Sequence, residues 1–81
     1  MPNKIKKAKI EIKKQHVNSS TAEAMGYDEK TKTLRVWFTT GKIYDYANVP
    51  KTRFETLLYA PSIGAYFNRS IKGIYPYKQV N

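Results

Sequence analysis

LRVWFTTGKIYDYANVP, residues 34–50, is the stretch on which the fold turns. Leu34, Val36 and Phe38 alternate with Arg35 and Trp37, and Tyr44 and Tyr46 alternate with Ile43, Asp45 and Ala47, which is the period-two pattern of strands. Thr39-Thr40-Gly41 joins the two runs. A three-residue loop with Gly41 in the left-handed conformation sets Phe38 opposite Lys42, Val36 opposite Tyr44, Leu34 opposite Tyr46 and Arg35 opposite Asp45. A two-residue Thr40-Gly41 loop would instead place Asp45 beside Val36 on the apolar face. The first register pairs opposite charges and keeps apolar residues together, so it is the one expected. Val49-Pro50 then stops the strand and opens a helix, because proline gives no N–H to a ladder and its fixed φ suits a first helical turn.

Working outward, residues 28–33 read as a longer hairpin connection that brings an earlier strand alongside, with Tyr27 opposite Leu34 and Met25 opposite Val36. One sheet face is then Met25, Tyr27, Leu34, Val36, Phe38, Tyr44 and Tyr46, and the other Ala22, Ala24, Gly26, Arg35, Trp37, Ile43 and Asp45. The first face needs a cover. Phe54, Leu57 and Leu58 fall at helical spacing after Pro50; Ala60-Pro61 ends that helix, Ser62 caps a second, and Ile63, Tyr66, Phe67 and Ile71 form its apolar stripe. Gly73 marks the stop, with Ile74 packing back, and Tyr75-Pro76-Tyr77 leaves as an extended tail whose two rings either stack on a partner's bases or pack on the domain. The expected architecture is α+β: a three-stranded antiparallel meander followed by two short helices packed on one face. Tyr44 and Tyr46 close the core with their hydroxyls at its rim.

A chain of 81 residues makes one domain with a thin core, and seven tyrosines, three phenylalanines and one tryptophan compensate by the area each ring removes from water. There is no cysteine, hence no disulfide framework. The lysine-rich N-terminus lacks the apolar run of a signal peptide and no apolar run spans a bilayer, so the expected location is cytoplasmic. Charge is uneven. Residues 1–15 hold six lysines (Lys4, Lys6, Lys7, Lys9, Lys13 and Lys14) against Glu11, for +5, and the remaining nine basic and five acidic residues give +4 of the total +9. A dense basic arm on a mildly basic body is a footprint of polyanion binding, and equally of a solvated tail. Ile10 and Ile12 alternate like a strand, while Ile5, Ala8 and Ile12 are spaced like a helix face. Both structures stay open for the arm.

Enzymatic chemistry finds little to work with. The single histidine, His16, lies at the junction of arm and domain, the carboxylates Glu23, Asp28, Glu29, Asp45 and Glu55 are scattered, and Ser19-Ser20 has no base beside it. No Cys/His cluster suggests a metal and four isolated glycines make no phosphate loop, so no cofactor is expected. Binding is the stronger class. Arg35 and Trp37 share the face that small residues leave low, which makes either a stacking platform or, if an isoleucine of the arm packs over Trp37, a second mini-core. Arg69 and Lys72 lie one turn apart near the end of the second helix, where cations also suit the helix dipole. Lys51 and Arg53 sit in the first turn of the other helix, where the dipole opposes them and a role toward a partner is the better explanation.

The order Val17-Asn18-Ser19-Ser20, Gly26-Tyr27-Asp28, Leu34-Arg35-Val36-Trp37-Phe38, Gly41, Tyr44-Asp45-Tyr46, Val49-Pro50, Leu57-Leu58, Ala60, Ser62, Gly64, Phe67-Asn68 and Ile71-Lys72-Gly73 resembles the KTSC domain. That family takes its name from the C-terminus of some lysyl-tRNA synthetases and also occurs as small stand-alone proteins of bacteria and phages. The resemblance implies no established activity; RNA binding is suggested by the synthetase fusion. It divides the chain into a basic arm (1–16), a KTSC-like domain (17–77) and a tail (78–81), and its motif residues Tyr44, Asp45, Tyr46, Val49 and Pro50 are expected to be structural. The expected protein is a non-enzymatic module binding nucleic acid, RNA before DNA, through the arm and its basic and aromatic surface. The alternative is a protein-interaction module, a homodimer or an accessory factor, using an open sheet edge.

Overall fold

The computed structural model describes residues 12–81. Along the chain come β1 (Gln15–His16), β2 (Ala22–Asp28), β3 (Thr33–Phe38), β4 (Ile43–Tyr46), α1 (Lys51–Leu58), α2 (Ile63–Ser70) and β5 (Tyr77–Gln79). All neighbouring strands pair antiparallel, in the order β1-β2-β3-β4-β5. The α+β class and the two helices agree with the sequence reading, whereas the sheet has five strands where three were expected. Both additional strands are short and exposed. Neither carries a pattern of its own. They form because the outer edges of β2 and β4 would otherwise leave ladder N–H and C=O groups without a partner strand.

The central hairpin has the register that pairs the charges: Leu34 with Tyr46, Arg35 with Asp45 and Val36 with Tyr44. Its loop is the three-residue one. Phe38 N–H donates to the Lys42 carbonyl at 2.9 Å, Gly41 N–H donates to the Phe38 carbonyl at 2.9 Å, and Gly41 has φ +97°, which a side chain would resist. The β2–β3 hairpin pairs Tyr27 with Leu34 and Met25 with Val36, as its alternation requires. Its turn is held by Asp28, whose carboxylate accepts from the Lys30 N–H and the Thr31 hydroxyl, each at 3.0 Å.

One assignment to a face changes. A bulge between Ala22 and Ala24 sets Ala22 opposite Phe38 and Ala24 opposite Trp37, so Ala22 turns into the main core instead of lying on the Trp37 face. That core joins Ala22, Met25, Leu34, Val36 and Tyr46 of the sheet to Val49, Leu57, Phe67 and Ile71 of the helical side. Pro50 stands at the N-cap of α1 with φ −64°. Ser62 caps α2, its hydroxyl accepting from Ala65 N–H at 3.3 Å. After Gly73, at φ +80°, Ile74 is 59% exposed, so the expected packing of Ile74 does not occur and Tyr75 packs on the core instead. Pro76 then leads back to the sheet through a hydrogen bond from Ala47 N–H to its carbonyl at 2.9 Å, and the residues read as a tail become β5.

Candidate nucleic-acid interface

The sheet face opposite the main core is built by Arg35 and Trp37 of β3 and Asp45 of β4. Arg35 Nε lies 2.6 Å from Asp45 Oδ1, and Nη2 donates to Oδ2 at 2.9 Å, a two-pronged pair set by the cross-strand register. Asp45 is buried and Arg35 half-buried, and the Asp45 hydrogen bond raises the Arg35 pKa above its ordinary value. Two of the guanidinium's nitrogens are thus committed within the fold. Trp37 is half-buried, with Lys14 Nζ 5.5 Å from its ring centroid, and Lys14 also lies 3.5 Å from Glu23. Ile12 is buried, and a Cβ built on Gly26 would collide with Ile12 and the Lys13 carbonyl. Residues 12–14 therefore lie over the Gly26 end of this face, and a cation reaches over Trp37. Lys4, Lys6, Lys7 and Lys9, with Ile5 and Ile10, lie outside the described residues.

On the helices the basic residues separate. Lys51 pairs with Glu29 at 2.6 Å, and that hydrogen bond raises its pKa. Arg53 Nη1 donates to the Tyr66 hydroxyl at 3.1 Å while the Arg69 guanidinium lies 5.8 Å from the Tyr66 ring centroid, so Tyr66 gathers one arginine from each helix. Burial pushes the Tyr66 phenol up, but the hydrogen bond and charge of Arg53 outweigh it and hold the pKa below its ordinary value. Lys72 belongs to different surroundings. It lines a groove of about 350 Å³ together with Lys42, Asn68, Phe38, Tyr44 and Tyr77. Tyr44 and Tyr77 stack there at 5.0 Å with 12° between their planes, and Phe38 meets Tyr44 edge-on at 5.4 Å. Tyr77 reads from the sequence as a tail ring that either stacks on bases or packs on the domain, and the structure places it in β5 against Tyr44. Lys42 and Asn68 carry no site signal in the sequence.

The motif residues hold the structure. Tyr46 is 3% exposed, and burial, with Tyr44 and Tyr77 beside it, pushes its pKa up to about 12. Val49 is fully buried; its N–H donates to the Lys32 carbonyl at 2.9 Å and its carbonyl accepts from the Tyr27 hydroxyl. Asn48, at φ +62°, turns the chain into that position, and Pro50 follows as the helix cap. Among the described residues there is no group of three or more His, Cys, Asp or Glu placed to hold a metal, and no helix is long and apolar enough to cross a membrane.

A five-stranded antiparallel meander with two helices on one face, tied by a Tyr-Asp-Tyr strand and a Val-Pro corner, defines a small single-core domain class. The KTSC domain pattern matches residues 18–75, and the chain belongs to the KTSC domain family. It is similar to a KTSC domain protein of known crystal structure from Yersinia pestis, with a TM-score of 0.85 and 28% identity over 88% of this chain and 100% of that one. It is also similar to a lysine–tRNA ligase of Nostoc punctiforme, 39% identical over 62 residues that make up 76% of this chain and 11% of the ligase. An uncharacterised protein of Stutzerimonas stutzeri is 36% identical over 61 residues, which are 75% of this chain and 86% of that protein. The match thus spans a small part of the ligase and most of the stand-alone relative.

Proposed function

We propose that this chain is a non-enzymatic nucleic-acid-binding module, with RNA preferred over DNA because relatives of the domain form the C-terminal region of lysyl-tRNA synthetases. The observation that carries the reading is an excess of cations that the fold does not consume. Residues 12–81 contain eleven Lys and Arg against five Asp and Glu, and only Lys14, Arg35 and Lys51 are ion-paired among them. Arg53 and Arg69 meet on Tyr66 across the two helices, and the arm adds Lys4, Lys6, Lys7 and Lys9. Cations without internal partners neutralise phosphates and release counterions, so affinity falls linearly in log salt, by about 0.7 per phosphate contacted for a single strand.

The test is a salt titration of binding to single-stranded RNA for the native chain and for one with Lys4, Lys6, Lys7 and Lys9 changed to Gln. A slope that shrinks in the variant supports the reading, and binding that is absent at low salt overturns it. The competing protein-interaction reading draws on β5, an edge strand whose flank exposes Tyr77 and Val80. It expects self-association that survives salt, which sedimentation would detect.

A further inference from the structure

We propose that the groove lined by Phe38, Tyr44, Tyr77, Lys42, Lys72 and Asn68 holds one unstacked nucleotide of a single-stranded nucleic acid, its base against the tyrosine rings and its phosphate toward the two lysines. This rests on the function proposed above and adds the place where a base is read, which the arm alone would not supply. Three features carry it.

The first is the aromatic floor. Tyr77 lies on an edge strand and is 60% exposed, yet it is held flat against Tyr44 at 5.0 Å, so a free ring surface continues a buried cluster. Tyr59 is more exposed still, at 80%, but it stacks on no ring among the described residues. Bases stack on such surfaces in single-stranded complexes, and paired bases in a duplex do not present their flat faces.

Charge is the second feature. Lys42 comes from the β3–β4 loop and Lys72 from the turn after α2, and no carboxylate among the described residues lines the groove. Neither lysine is ion-paired among the described residues. Two lysines lining one groove beside stacked rings match a base joined to a phosphate, whereas an apolar peptide side chain would leave both unused. Size is the third. About 350 Å³ falls at the small end of ligand pockets, room for a single nucleotide and too little for a folded partner's surface. Asn68 and Thr40 on the wall offer donors and acceptors for a base edge.

The experiment uses the full chain and fluorescence anisotropy of two labelled strands of equal length, an oligouridylate and its abasic sugar-phosphate counterpart. The native protein is expected to bind the uridylate about tenfold more tightly, which is the contribution of one stacked base. Tyr77→Ala should remove that preference and leave abasic binding unchanged. Lys42→Gln with Lys72→Gln should weaken both strands and lower the salt slope by about 0.7, the value for one phosphate on a single strand. Backbone amide shifts of the native protein provide a readout that does not depend on how a variant folds: Asn68 and Tyr77 should move with the uridylate and stay still with the abasic strand, while Lys42 and Lys72 should move with both. Equal affinity for the two strands would overturn the groove while leaving the charge-based reading intact. Shifts confined to other residues would do the same. Binding of neither strand at low salt would remove the nucleic-acid reading and the groove together, and free uridine monophosphate binding as tightly as the strand would overturn the assignment to a strand.

Discussion

At the scale of single residues, the Arg35–Asp45 pair does two things at once. It fixes the β3–β4 register, because a slip by one residue would bury Asp45 against Val36, and it occupies two guanidinium nitrogens that a ligand would otherwise find. The Arg35 and Asp45 side chains are only 21% and 9% exposed, so the pair is poorly screened and loss of one partner strands the other. Asp45→Asn is expected to cost about 2 kcal/mol in urea unfolding, the order typical of a hydrogen bond to a charged group. Tyr46 gives a pH signature. Its folded-state pKa of about 12 lies above the ordinary 10.0, so the folded protein holds the proton more tightly than the unfolded chain. Its contribution is complete below pH 10.0 and is lost as pH rises toward about 12. Urea midpoints measured across that window should fall with pH, and Tyr46→Phe should flatten part of the decline.

At the scale of elements, two glycines separate backbone strain from steric exclusion. Gly41 has φ +97° and open space where a Cβ would go, so Gly41→Ala strains only the hairpin loop, at a cost of about 1 kcal/mol. Gly26 has ordinary backbone but no room, since a Cβ would strike Ile12 and the Lys13 carbonyl. Gly26→Ala should therefore lift residues 12–16 off the sheet. Hydrogen exchange would show lost protection at the β1–β2 pairing, with the β3–β4 ladder unchanged. The contrast also explains what was legible in the sequence. The central hairpin could be read because alternation, a loop glycine and a charge pair all demanded one register. The two helices were readable from Pro50, Ser62 and the Leu57 and Phe67 stripes. Strands β1 and β5 were not, since two or three exposed residues have no period and exist only by virtue of the edge they cover. The bulge that moves Ala22 into the core likewise leaves no mark in the alternation. Of the candidate site, the shared face of Arg35 and Trp37 was foreseen. The Tyr44–Tyr77 groove was not, because its lining comes from β3, β4, α2 and β5, and the last of these reads from the sequence only as a tail.

At the scale of the whole molecule, charge and stability oppose each other. The chain carries +9, and residues 12–81 alone carry +6, eleven basic against five acidic residues. A domain of this size has little stability to spare, and self-repulsion of like charge lowers it further. Added salt should thus raise the melting temperature of the free protein by screening that repulsion. On the function proposed above, bound nucleic acid would neutralise the same charges by contact, and at a hundred times its Kd a ligand specific to the folded state stabilises by about 2.7 kcal/mol. For a domain below 100 residues that is a shift on the order of 10 °C. The two effects depend on salt with opposite sign, since counterion release makes binding weaken as salt rises. Melting curves followed by circular dichroism, with and without a short single-stranded RNA over a salt series, should therefore converge: the free protein climbs, the complex loses its advantage, and the gap closes at high salt. A gap that stays constant with salt would mean that the ligand is held without its phosphates, and would overturn the function proposed above.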